Sequence, residues 1–107
     1  MLDIKQIKTL YSTYKIIYQK KVMFNNKEGE GRICPAGSYF KIATNRFSIK
    51  SQIQTIMHES LHAITSELTM DLDEKEIESL ACSLVKFIQD NPEFIKVILE
   101  EGDKSAL

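Results

Sequence analysis

The amino-acid sequence predicts an α+β fold, because the two halves of the chain carry different hydrophobic patterns. Residues 14–22 and 39–43 are rich in aromatic and β-branched side chains, which is typical of strands. Beyond Ser51, apolar residues recur every three or four positions, which is typical of amphipathic helices. A small sheet of about three strands followed by three helices is therefore expected. A chain of 107 residues should form a single domain, 1–107.

The strands of the amino-terminal half are predicted from β-propensity and from turn residues. Residues 4–10 carry apolar side chains whose spacing fits either a short helix or an early strand. A turn is expected at 25–29, where asparagine and glycine tolerate positive φ. Short strands are expected at 31–34 and 39–43. Since the turn residues 35–38 join them, the middle of the chain should form a hairpin.

The helices of the carboxy-terminal half are predicted from capping boxes and apolar spacing. A capping box at 51–54 should start a helix of about 18 residues, and a second box at 73–76 should start the next helix. Pro92 should end that second helix, and residues 93–100 should form a short final helix. The expected inner face of the second helix consists of apolar residues: Ile77, Leu80, Ala81, Leu84 and Ile88. The expected anchors of the final helix are Phe94, Ile95 and Ile98.

Both histidines of the chain lie in one short motif, His58-Glu59-Ser60-Leu61-His62. Residues four apart on a helix lie on nearly the same face, so both imidazoles can bind one metal ion at about 2.0–2.1 Å. Glu59 projects beside the metal without binding it, and from there it can accept a proton from a zinc-activated water. Histidines that merely edge an apolar stripe are the alternative, but this H-E-x-x-H pattern inside a helix indicates a Zn²⁺ site.

The third zinc ligand must be a carboxylate or a thiolate, because the chain has no further histidine. Glu67 should point away from the metal, Asp73 is better used as a helix cap, and Glu76 falls on the outer side of its helix. Glu74 and Glu78 lie one turn apart at the edge of the apolar stripe. Glu78 is preferred because it lies further inside the helix, where packing holds a side chain rigidly. Glu74 is the alternative.

The segment His58-Glu59-Ser60-Leu61-His62-Ala63-Ile64, followed by Glu78-Ser79-Leu80-Ala81, resembles the ImmA/IrrE-type metallopeptidases. The resemblance is closer to the short versions encoded in phages and other mobile elements, and it runs from about residue 31 to 98. It implies a minimal zincin-like fold and an intracellular protein substrate, in larger relatives a transcriptional repressor of the helix-turn-helix type. The site residues that it implies are the zinc ligands His58, His62 and Glu78 and the general base Glu59.

The expected function is that of a zinc-dependent metallopeptidase that hydrolyses peptide bonds, including those of a regulatory protein. The strand at 39–43 is expected to hold an extended peptide by strand addition. The alternative is a non-catalytic, zinc-containing binding protein of a phage or mobile element. A donor for the tetrahedral oxyanion is needed, and four tyrosines stay open for that role: Tyr11, Tyr14, Tyr18 and Tyr39.

Charge and composition exclude several other classes of function. A net charge of -1 gives no electrostatic reason to expect binding to nucleic acid or to an anionic membrane. No apolar run approaches the roughly 20 residues of a spanning helix, and the first residues lack a signal-peptide core. Cys34 and Cys82 are expected to be reduced thiols, with Cys82 packed in or near the core. The expected location is the cytoplasm.

Overall fold

A computed structural model of the chain describes residues 2–45 and 47–102, and these residues form six strands and three α-helices. The strands are β1 (Gln6–Lys8), β2 (Thr13–Gln19), β3 (Val22–Phe24), β4 (Lys27–Gly29), β5 (Gly31–Cys34) and β6 (Tyr39–Ala43). The helices are α1 (Ile49–Glu67), α2 (Glu74–Asp90) and α3 (Pro92–Glu101). The α+β class is confirmed. The main sheet has four strands rather than about three, in the order β1-β2-β6-β5, and β3 and β4 form a separate antiparallel pair.

The core lies between the centre of the sheet and α1. Alternate residues of β2, Tyr14 and Ile16, are buried, which is the period of a strand with one covered face. β2 runs parallel to β6, and its Tyr14 ring stacks on Phe40 with centroids 4.9 Å apart. Ile56 and Ala63 of α1 complete this cluster. One face of α1 is thereby fixed on the sheet, so that its opposite face is available for other contacts.

The predicted strand at 14–22 is interrupted in the structure. β2 ends at Gln19, where its parallel partner β6 also ends, and the chain resumes as β3 at Val22. β3 and β4 are joined by Asn25 and Asn26, whose φ angles of 53° and 64° suit a two-residue hairpin turn. The prediction of positive φ at this turn is confirmed, but residues 27–29 form a strand rather than part of the turn.

β5 is the open edge of the main sheet on the side of β6. The hairpin predicted from 31–34 and 39–43 is confirmed with these bounds. The prediction that 39–43 holds a peptide by strand addition is wrong, because β6 lies between β2 and β5 and has no open edge. The Ala43 N–H donates to Glu30 O at 2.8 Å, so residues 30 and 43 form a hydrogen-bonded pair. Along an antiparallel ladder such pairs alternate with pairs whose backbone groups point away from each other. Gly31 and Ile33 therefore direct their backbone N–H and C=O groups towards the open edge.

The helices follow the predicted order, with one shifted start. α1 begins three residues earlier than predicted, because the Ser48 side chain caps it and accepts a hydrogen bond from the Ser51 N–H at 3.1 Å. The capping box at 73–76 is confirmed, and α2 ends at Asp90 ahead of the proline. α2 packs on α1 through a narrow stripe. Its buried residues are Ile77, Ala81 and Val85, whereas Leu80 and Ile88 are exposed, contrary to prediction.

α3 lies at the surface of the described structure. It contains no buried residue, and its predicted anchors Phe94 and Ile98 are exposed. The Phe94 ring instead meets Phe87 of α2 edge-on, with centroids 6.1 Å apart. Cys34 and Cys82 are both free, but Cys82 is exposed rather than packed in the core. None of the helices in 2–45 and 47–102 is long and apolar enough to cross a membrane.

Candidate metal centre

α1 brings the two imidazoles together on the face that the sheet leaves uncovered. His58 and His62 are one turn apart, and their Nε2 atoms lie 3.1 Å from each other. The His58 side chain is 14% exposed, so most of it is enclosed by neighbouring groups. Both rings point the same way because residues four apart share a helix face. The packing of Ile56 and Ala63 on the sheet turns that face away from the sheet.

Glu74 supplies a carboxylate to this pair of nitrogens. It is the first residue of α2, and one of its oxygens contacts His58 Nε2 while the other lies 3.1 Å from His62 Nε2. Ile77 and Ala81 pack against Leu61 of α1 and hold the start of α2 over the motif. One possible ligand atom each from His58, His62 and Glu74 lies within 4.8 Å of the other two. We call His58, His62 and Glu74 the metal cluster.

Two of the three separations between ligand atoms in the metal cluster are compatible with a tetrahedral zinc ion. Ligand atoms that bind zinc at about 2.0–2.1 Å in tetrahedral directions are separated by roughly 3.3 Å from one another. The two separations of 3.1 Å that involve His62 Nε2 are close to this value. Two imidazoles and one carboxylate are also a common donor set of catalytic zinc, in which the fourth position is left to water. The residues present therefore fit the metal that the motif predicts.

Glu78 lies behind His58 rather than beside both Nε2 atoms. Its Oε2 is 2.6 Å from His58 Nδ1, on the side of the ring away from His62. Of the two candidates for the third ligand, the preferred Glu78 therefore contacts Nδ1 of His58, and the alternative Glu74 lies beside both Nε2 atoms. The reason is the docking of α2, which starts over the motif and carries Glu78 one turn further along. A carboxylate that accepts the Nδ1 proton fixes the tautomer in which Nε2 is free to bind metal.

Glu59 is buried next to the metal cluster without contributing a ligand atom to it. The residue is only 7% exposed, and burial raises the pKa of its carboxyl group. The charges of His58 and His62 act in the opposite direction, as does a hydrogen bond from the backbone of Ile33, while Glu74 raises the pKa further. A buried, non-ligating carboxylate at this place matches the predicted position of the general base.

The remaining acidic candidates lie elsewhere, as expected. Glu67 points to the other end of α1, where it accepts hydrogen bonds from the Thr9 hydroxyl and from the Tyr11 N–H, the latter at 3.2 Å. Asp73 and Glu76 satisfy each other's backbone N–H groups in the capping box at 2.8 and 2.9 Å. The two carboxylates of α2 that contact the histidines are therefore Glu74, which belongs to the metal cluster, and Glu78, which lies beside it.

A groove runs along β5 on both sides of the metal cluster. It consists of two cavities of about 290 and 520 Å³ that share Gly31, Glu59 and Glu74 as lining residues. Gly31 allows the close approach of strand and helix, because a Cβ there would collide with Thr55 and lie 3.0 Å from the Lys41 carbonyl oxygen. Sequence reasoning missed this residue, although a glycine at the start of a strand was the available signal.

One tyrosine lies at the groove. Tyr14 lines the larger cavity together with Glu59 and His62. The Tyr18 hydroxyl instead donates to the Ile4 carbonyl oxygen at 2.8 Å, and Tyr39 hydrogen-bonds to the neighbouring Cys34. Of the candidate donors left open by the sequence, Tyr14 is therefore the one beside the predicted base.

The arrangement has the chemical parts of a hydrolytic metal site: a metal cluster, a buried carboxylate beside it, and a groove with an open strand edge. Comparisons with protein-family models, with curated proteins and with solved structures found no match. The function is therefore argued from the geometry and the chemistry of these residues.

Proposed function

We propose that the chain is a zinc-dependent metallopeptidase with a minimal zincin-like fold, in line with its resemblance to the ImmA/IrrE-type enzymes. The observation that carries the proposal is the convergence of His58 Nε2, His62 Nε2 and the Glu74 carboxylate next to a buried carboxylate. A purely structural metal site has no use for Glu59 in that position, because it would cost desolvation without adding a ligand.

The proposed zinc ligands are His58, His62 and Glu74. When bound, zinc supplies Lewis acidity, which polarises a scissile carbonyl and makes water a better nucleophile. Glu78 acts behind His58 by accepting its Nδ1 proton, so that Nε2 stays available. Glu78 is thus assigned to positioning a ligand, and Glu74 takes the ligand role that the sequence first assigned to Glu78.

Glu59 is the proposed general base and acid. It accepts the proton of the attacking water and returns it to the amine that leaves. Its burial keeps bulk water away from the carboxylate, and the backbone N–H of Ile33 holds it towards β5. Tyr14 is the proposed donor to the oxyanion, since it lines the same cavity as Glu59.

The substrate is proposed to bind as an extended peptide along β5. Gly31 directs its N–H and C=O groups to the open edge and Ile33 its C=O group, because the Ile33 N–H is used by Glu59. Both residues line the groove that contains the metal cluster. A peptide paired with this edge passes beside Glu59 and Glu74. By the resemblance stated above, the proposed substrate is an intracellular regulatory protein such as a transcriptional repressor.

The competing interpretation of the cluster is metal-free. His58 lies between Glu74 and Glu78 with a carboxylate at each ring nitrogen, and these contacts would hold the cluster together without a metal. In this interpretation His62 also pairs with Glu74, since its Nε2 lies 3.1 Å from a carboxylate oxygen of that residue. Elemental analysis of the purified protein separates the two, because the metal-free interpretation predicts no stoichiometric zinc.

The second candidate function is that of a zinc-containing binding protein of a phage or mobile element. The observation that favours it is α3, which has no buried residue and exposes four apolar side chains: Phe94, Val97, Ile98 and Leu99. A partner protein would cover such a face. In this candidate the metal stabilises the fold, and Glu59 is dispensable.

One experiment separates the two candidate functions. Zinc-loaded wild-type protein and Glu59→Gln are incubated with a peptide library, and the products are identified by mass spectrometry. The peptidase proposal expects cleavage by the wild type and a loss of roughly 10²–10⁴-fold in the variant at unchanged zinc content. Glu67→Gln is the matched control, because it makes the same change on the same helix away from the cluster. Equal activity of wild type and Glu59→Gln would refute the proposal.

A further inference from the structure

The larger cavity of the groove has a mixed lining with a substantial apolar part. Its walls come from β2, β3, β5, the turn after β5, α1 and the start of α2, and the apolar residues among them are Phe24, Ile33, Pro35 and Ala63. Its volume of about 520 Å³ lies within the range of roughly 300–1,000 Å³ that is typical of ligand sites. Since Glu59, His62 and Glu74 also line it, the cavity is continuous with the metal cluster.

Phe24 forms an exposed part of this wall and comes from outside the main sheet. It lies at the end of β3, beside the hairpin turn, and 54% of its surface is exposed. The Arg32 guanidinium carbon lies 4.5 Å from the centre of its ring, so the ring is held against β5 from one side. An apolar group that covers this exposed ring would bind favourably, because apolar surface of both is removed from water.

The smaller cavity differs in character. Its lining contains the carboxylates of Glu30 and Glu78 in addition to those of Glu59 and Glu74, together with the polar side chains of Gln54 and Thr55. An apolar side chain would displace water from these groups without replacing their hydrogen bonds. The two cavities therefore differ in the side chains that suit them, and the larger cavity is the more apolar of the two.

We propose that the larger cavity is the subsite for a large apolar side chain of the substrate peptide, with Phe24 as its specificity-determining residue. This inference rests on the peptidase function proposed above and adds the substrate class. The occupant is a peptide because the cavity follows the open edge of β5, where an extended chain places every second side chain on one face. A leucine or phenylalanine side chain next to the cleaved bond would enter the cavity and cover the Phe24 ring.

Binding can be measured apart from turnover in the zinc-loaded Glu59→Gln protein. The probes are fluorescein-labelled ten-residue peptides that differ at one central position: phenylalanine, leucine, alanine or aspartate. Fluorescence anisotropy should show that the phenylalanine and leucine peptides bind at least about tenfold more tightly than the alanine peptide, since one methylene in a pocket is worth roughly tenfold or more. Phe24→Ala in the same background should reduce this preference to about threefold or less.

Two further variants make the test specific. Met23→Ala is the matched control, because Met23 is 51% exposed on the same strand and does not line the cavity. It should leave the preference unchanged. Phe24→Trp keeps an aromatic residue on the hairpin and narrows the cavity, so it should favour leucine over phenylalanine more strongly than the parent protein does.

The outcomes separate this inference from the proposed function. Equal binding of all four peptides, or a preference that survives both Phe24 variants, would overturn the subsite. Preferential binding that depends on Phe24, in a protein whose wild type cleaves none of the peptides, would support the subsite and contradict the peptidase. Cleavage of all the peptides without preference would support the peptidase and contradict the subsite. If both proposals hold, mass spectrometry of the wild-type products should find the apolar residue always on the same side of the cleaved bond.

Discussion

Replacing each of the two neighbouring glutamates by glutamine tests the assignment of the third ligand. Glu74 touches both histidine Nε2 atoms, whereas Glu78 touches only the opposite nitrogen of His58. In the proposed assignment, Glu74→Gln removes a charged ligand of the metal. Glu78→Gln removes only the partner that orients a ligand, a change that typically costs 10–100-fold in metal affinity, or about 1.4–2.7 kcal/mol.

The expected loss for Glu74→Gln is therefore larger by at least another factor of about ten, which corresponds to roughly 1.4 kcal/mol. Zinc dissociation constants would be measured by competition with a chromophoric chelator, at one pH and one ionic strength. Circular dichroism would check that both variants fold. The Glu74 and Glu78 side chains are 72% and 57% exposed, so neither change should disturb the core.

The reasoning would be refuted if Glu78→Gln weakened zinc binding as much as Glu74→Gln or more. That result would return the ligand to the residue that the sequence preferred, and it would require α2 to dock one turn away from its position here. Nitrogen-15 NMR of the His58 ring gives an independent readout. With Glu78 in place, the zinc-bound protein should show a proton on Nδ1 and the metal on Nε2.

Three further predictions concern residues around the metal cluster. His62→Ala should lose stoichiometric zinc, which elemental analysis would detect, because the chain has no third imidazole to replace it. Glu59→Gln should retain about one zinc per chain in the same measurement, since Glu59 supplies no ligand atom; loss of the metal would contradict its role as base. Gly31→Ala should lower the free energy of unfolding by roughly 1–3 kcal/mol in denaturant titrations, because its Cβ meets Thr55 and the Lys41 carbonyl. Gly29→Ala is the control, since nothing lies within 4 Å of its Cβ, and equal losses in both variants would refute the steric argument.

The residues of the H-E-x-x-H motif could be predicted because their geometry is local. Helical periodicity alone places His58 and His62 on one face, and a single helix is enough to bring their Nε2 atoms together. The capping box at 73–76 is local for the same reason, and it was predicted correctly. The third ligand depends instead on how two helices dock. Leu61, Ile77 and Ala81 decide that docking, and no pattern within α2 indicates which turn faces the motif.

The edge of the sheet could not be predicted for a similar reason. β2 and β6 pair in parallel although residues 20–38 lie between them in the chain, and this long-range pairing places β6 inside the sheet. β-propensity favours both strands equally and carries no information about their order. The start of α1 was missed because Ser48 and Ser51 both fit a helix cap. Ser48 prevails in the structure, where Gln52 of the first turn also donates to the Phe47 carbonyl oxygen at 3.0 Å.

Because Glu74 comes directly after the cap of α2, the proposed metal binding should depend on the start of that helix. Asp73 accepts the Glu76 N–H at 2.8 Å and thereby fixes the first turn, in which Glu74 is held over the two histidines. Asp73→Ala should therefore lower stability by about 1 kcal/mol and also weaken zinc binding, whereas Asp73→Asn, an equally good cap, should change both much less. Denaturant titration and chelator competition on the same samples would measure the two effects. If Asp73→Ala destabilised the protein without weakening zinc binding, the packing of Ile77 alone would hold Glu74 in place, and the proposed link between cap and metal would be wrong.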